Sequence, residues 1–184
     1  LALNADYSMV SVSGYGIISG FTNDGNKIPE QTIPQYYDKL GFSYNKFADS
    51  ITVSEIEWDF ERYKPDIIVI NLGTNDMSYA TTDERKAEFE DGYLDFLKKV
   101  RSLNPDSYIF QTYGVMGNSL EENIENVRRK YISETGDERI TFIPLTMQDE
   151  NADGIVADWH PSPRTHSLVS QKVSAAIKET LGYK

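Results

Sequence analysis

The sequence contains no cysteine. That excludes disulfide bridges, a thiol nucleophile and cysteine-bound zinc. Histidine is scarce as well, with two in 184 residues, and the acids do not cluster at ligand spacing, so no catalytic metal is expected. Long apolar runs are missing. The longest, Ile67–Ile70, is strand-sized, and neither a signal peptide nor a membrane span is expected from it. Positive charge is in deficit, with 18 Lys and Arg against 29 Asp and Glu. The formal charge of -11 argues against nucleic acid or an anionic membrane as partner and leaves a neutral polymer or a small neutral ester open.

What remains suits one folded domain. Hydrophobic residues make up 39% and charged residues 26%, so the chain is neither disordered nor membrane-embedded. Twelve tyrosines and two tryptophans suit stacking on sugars, although most of them are expected to pack.

Strand-like and helix-like segments alternate along the chain. Leu1–Asn4 reads as the end of a helix, and Tyr7–Ser13 as a strand closed by Gly14-Tyr15-Gly16. Ser19–Gln31 reads as a loop, Ile33–Leu40 as a short helix, Phe42–Glu57 is ambiguous, and Trp58–Tyr63 reads as a short helix closed by Pro65. The isoleucine-rich run Asp66–Leu72 has the pattern of a strand buried on both faces. Phe89, Tyr93, Phe96, Leu97 and Val100 recur at helical spacing within Thr82–Leu103. Tyr108–Tyr113 and Ile140–Leu145 read as further strands. Between them, Ser119 with Glu122 predicts a capping box for a helix with the stripe Leu120, Ile124, Val127 and Tyr131, closed at Gly136. Ser162-Pro163 opens a last helix whose inner face is Leu168, Val169, Val173, Ala176 and Ile177, ending at Gly182. Such alternation predicts a parallel sheet covered on both sides.

Functional loops of such sheets lie at the carboxyl ends of the strands. Gly73-Thr74-Asn75-Asp76 follows the Asp66–Leu72 strand. A carboxamide held there can donate to an anionic oxygen, or the segment can be an ordinary Asx turn. Asp158-Trp159-His160-Pro161-Ser162 precedes the last helix. His160 is either a general base or a hydrogen-bonding turn residue. His166, inside the helix, reads as a surface or packing residue. The glycines of Ser13-Gly14-Tyr15-Gly16 either expose a backbone N–H to an oxyanion or simply turn the chain.

Taken together, these loops resemble the SGNH (GDSL-like) hydrolases, and more closely family 2 of the carbohydrate esterases. Asn4-Ala5-Asp6-Tyr7 leading to Val10–Gly16 is similar to that family's second block, Pro65–Asp76 to its third and Asp158–Ser162 to its fifth. The resemblance implies a three-layer α/β/α, flavodoxin-like parallel sheet, with residues 1–184 as one esterase domain incomplete at its amino terminus. It implies a serine nucleophile, His160 as base, Gly14 and Asn75 as oxyanion donors, Trp159 as a substrate contact, and no metal or organic cofactor. The implied partner is acetylated polysaccharide such as xylan or mannan, and the implied place of work is outside the cell. The alternatives are a GDSL-type lipase or thioesterase acting on another acyl ester, and a non-catalytic carbohydrate-binding or degenerate esterase domain.

Two departures accompany the resemblance. No Gly-Asp-Ser occurs in the sequence, so the nucleophile's block is expected outside these residues, its strand seated between Tyr7–Ser13 and Asp66–Leu72. The position three before His160, where the superfamily places its acid, is Ala157, leaving either Asp158 or a main-chain carbonyl to orient the ring.

Overall fold

The computed structural model describes residues 2–42, 46–47 and 50–183. Residues 43–45 and 48–49 of the ambiguous Phe42–Glu57 stretch lie outside the described residues. The rest of that stretch includes a small antiparallel pair, β1 (Lys46–Phe47) with β2 (Ile51–Thr52).

The main sheet consists of β3 (Ile67–Asn71), β4 (Tyr108–Tyr113) and β5 (Ile140–Pro144), parallel and in that order. Parallel neighbours need crossovers, supplied by α1 (Asp83–Leu103) and α2 (Glu121–Thr135). Thr82 caps α1 by accepting the Arg85 N–H, and Asp83 and Glu84 sit in the first turn, where the helix dipole favours negative charge. Phe89, Tyr93, Phe96, Leu97 and Val100 are all buried, and the four wholly apolar ones are each worth about 1.5–3 kcal/mol against exposure. They pack with Ile124, Val127 and Tyr131 of α2 on one side of the sheet. On the other side α3 (Pro163–Leu181) brings Val169, Val173, Ala176 and Ile177 against Phe110 and Ile143. The result is three layers, helices on both faces of a parallel sheet. Gly136 and Gly182 close α2 and α3 at φ 70°, as their sequence positions predict. No helix among the described residues is long and apolar enough to cross a membrane.

Several local expectations fail. Tyr7–Ser13 carries no regular secondary structure, and Tyr7, Met9 and Val10 are exposed. A strand exists only through the ladder it joins, and this stretch joins none among the described residues. Likewise β3 is hydrogen-bonded only to β4 there, and Val69 is 47% exposed, so the run expected to be buried on both faces is open on one. Ala2 and Leu3 form a turn rather than a helix end. Ile33–Leu40 reduces to a single 3-10 turn at Ile33–Gln35 followed by turns. Trp58–Tyr63 forms turns and bends, because so short a segment recovers too few helical bonds to offset nucleation. The Ser119–Glu122 capping box does not form: α2 starts one residue later, with Leu120 at the cap position. Leu168, assigned to the inner face of α3, is 48% exposed, while Ser162 does cap that helix by accepting the Thr165 N–H.

Candidate active site

Because the strands are parallel, β3, β4 and β5 end on one edge, with Asn71 opposite Thr112 and Tyr113 opposite Pro144. The chain leaves β3 through Gly73, whose φ of 117° only glycine adopts without strain. A side chain there would also press on the Tyr113 ring at 3.2 Å. Asn75 and Asp76 follow at the start of a 3-10 turn.

These two neighbours hold the loop of Gly14–Ser19. The Asn75 carboxamide Nδ2 donates to the Tyr15 carbonyl at 2.7 Å. A carboxamide has two N–H groups, so one remains for another acceptor. The Asp76 side chain is fully buried and accepts from three consecutive backbone N–H groups, Ile17 at 2.9 Å, Ile18 at 2.8 Å and Ser19 at 3.2 Å. Burial pushes its carboxyl above the ordinary range, against the downward pull of those same N–H groups. Gly16 lets the loop come this close. A Cβ there would stand 2.2 Å from the Ser19 carbonyl oxygen and 2.4 Å from Asp76 Oδ2.

His160 follows a single turn, Ala157–Trp159, in which Asp158 (φ 54°) and Trp159 (φ 62°) are both left-handed. That region costs a non-glycine residue about 1–2 kcal/mol. The turn brings the His160 ring back onto the Ala157 carbonyl, with Nδ1 and the oxygen 3.1 Å apart. A carbonyl can only accept, so Nδ1 carries the hydrogen and Nε2 keeps its lone pair, the tautomer a general base needs. Of the two partners left open by the sequence, the geometry therefore gives the carbonyl. Asp158 is exposed and makes no hydrogen bond to the ring among the described residues. Replacing Asp158 with alanine is expected to change kcat by less than about tenfold, against the roughly 10⁴-fold loss when an acid that does hold its histidine is neutralised. Steady-state kinetics on an acetyl ester checks this.

The His160 turn is tied to the same sheet edge. Gln148 donates from Nε2 to the Trp159 carbonyl at 2.8 Å and from its backbone N–H to the Val115 carbonyl at 2.9 Å, just beyond β4. The loop after β4 in turn lies on the loop after β3, since a Cβ at Gly117 would come 2.7 Å from Met77 Sδ. Gly14, Asn75 and His160 thus belong to loops joined by these contacts. Trp159 is 62% exposed, and His166 is exposed, the surface alternative of the two readings its sequence position allowed. Sequence reasoning quoted Asp76 without giving it a role, and missed Gln148 altogether. A motif position was the one available signal for the first, and none pointed to the second.

The model of the GDSL-like lipase/acylhydrolase family matches residues 12–168. The chain belongs to that family. Among its relatives, cellulase/esterase CelE of Acetivibrio thermocellus is 32% identical over 98% of this chain and 21% of its own length. The acetyl xylan esterase Est2A of the rumen bacterium Butyrivibrio proteoclasticus superposes with a TM-score of 0.87 at 28% identity, over 99% of this chain and 53% of its own. A family two carbohydrate esterase from Clostridium thermocellum, solved with cellohexaose, gives 0.74 at 29% identity, over 94% of this chain and 49% of its own. The chain thus spans about a fifth of CelE and about half of the two solved relatives. The three-layer α/β/α architecture expected of a GDSL-like acylhydrolase is the one observed.

Proposed function

We propose that these residues form the acetylesterase domain of a carbohydrate-active enzyme. The observation that carries this reading is the hydrogen bond from Asn75 to the Tyr15 carbonyl. It joins the Asn75 loop to the Gly14 loop, each of which would offer an oxyanion donor, on the edge that also holds a correctly tautomerised His160.

The reaction runs in two displacements. A serine oxygen attacks the acetyl carbonyl while His160 Nε2 takes its proton, and the negative oxygen lies against the free Asn75 N–H and the Gly14 backbone N–H. The carbon–oxygen bond to the sugar breaks, the sugar oxygen takes the proton from His160, and water then releases acetate by the same route. The serine is supplied from outside residues 1–184, for which the absence of a Gly-Asp-Ser block and the open side of β3 are the support. The 184 residues alone are accordingly inactive. The names of the relatives favour acetylated xylan or a related polysaccharide as substrate. In this reading the exposed Trp159 is a stacking face for a sugar ring, and the enzyme works outside the cell on its polymer. Asp158 then has no part beyond shaping the turn.

The full-length protein should release acetate from acetylated xylan and prefer acetyl over longer-chain nitrophenyl esters. A preference for long acyl chains would instead mark a lipase or thioesterase. Polysaccharide binding without turnover would mark a binding domain.

A further inference from the structure

We propose that Asp76 is a positioning residue that sets the Gly14 loop against Asn75, so that the two oxyanion donors face one point. This rests on the esterase reading above. Asn75 and Asp76 grip the same loop from adjacent positions. The first holds the Tyr15 carbonyl, and the second holds the N–H groups of Ile17, Ile18 and Ser19, one residue further on. Asp76 touches nothing that a substrate could reach, because its side chain is fully buried. No cation supplies its counter-charge among the described residues; its charge is met by backbone dipoles of the loop itself. The contact with Gly16 leaves no slack, since even a methyl group there would overlap the carboxylate. A carboxylate placed this way fixes where the Gly14–Ser19 backbone lies relative to Asn75, which is the distance an oxyanion hole depends on.

The test is Asp76→Asn in the full-length protein, with kinetics expressed per folded molecule. The amide keeps the shape but turns one acceptor into a donor facing N–H groups. Displacing a catalytic donor by about 1 Å costs up to roughly a hundredfold, so kcat should fall about ten- to a hundredfold while KM stays within about threefold. A double-mutant cycle separates this from simple loss of fold. In an Asn75→Ala background, Asp76→Asn should cost less than about threefold further, because it acts through the hole already broken. Gly16→Ala, whose methyl group would push the loop off Asp76 while keeping the carboxyl group itself, should reproduce the kcat-selective loss if Asp76→Asn does not fold. Unchanged kcat in Asp76→Asn beside a crippled Asn75→Ala would overturn the proposal alone, as would fully multiplicative losses in the cycle. Full turnover in Asn75→Ala would overturn the oxyanion reading and this proposal together.

Discussion

Replacing His160 with alanine should reduce acetyl-ester turnover by the order of 10⁴- to 10⁶-fold, the loss seen when a serine hydrolase is deprived of its base. The reason lies in one contact. With the Ala157 carbonyl accepting from Nδ1, the ring keeps its lone pair on Nε2, the nitrogen able to take the serine proton. Nothing else in the turn can stand in. Asp158 and Trp159 spend their conformational freedom on the left-handed reversal, and the second histidine, His166, lies exposed on α3. Acetate release from acetylated xylan by the full-length variant, with folding checked by circular dichroism, is the measurement. Retained turnover within tenfold of the parent would show that His160 is a turn residue only.

Asn75→Ala should lower kcat on the order of a hundredfold or more, with a smaller effect on KM, because its N–H contributes chiefly where charge develops on the carbonyl oxygen. Two losses combine here. The second carboxamide N–H disappears, and so does the bond to Tyr15 that ties the Gly14 loop in place. An unchanged kcat would reduce Asn75 to the Asx turn that the bare sequence equally allowed.

Much of this fold could be read from residue spacing. The stripe from Phe89 to Val100 buries as its 3.6-residue period requires, and Ser162 and Gly182 bound α3 because capping chemistry is local. Where the outcome depended on a distant partner, spacing was silent. Tyr7–Ser13 has strand-like composition but no ladder among the described residues, and the isoleucines of β3 do not reveal which of its sides is covered. The Ser119 box failed by one residue, because the exact start of a helix is decided by packing as well as by cap preference. The site divides the same way. Asn75 and His160 were legible as side chains in motifs. The orienting group for His160 is a main-chain carbonyl, which every residue possesses, and the turn that aims it contains no glycine to announce a left-handed backbone. The grip of Asp76 on Ile17–Ser19 spans more than fifty residues of chain, and nothing in the intervening sequence marks it.

That grip also determines how the site responds to ionic strength. The ion pairs of this acidic chain lie mostly near the surface, as in Lys98–Glu134 and Lys130–Asp91, where mobile ions screen them. Asp76 has no ion-pair partner among the described residues. Its partners are peptide dipoles sealed with it inside the fold, beyond the reach of dissolved salt. Brine that loosens the periphery should therefore leave the spacing of the two loops in place, because salt cannot enter to screen the contact at the centre of the domain.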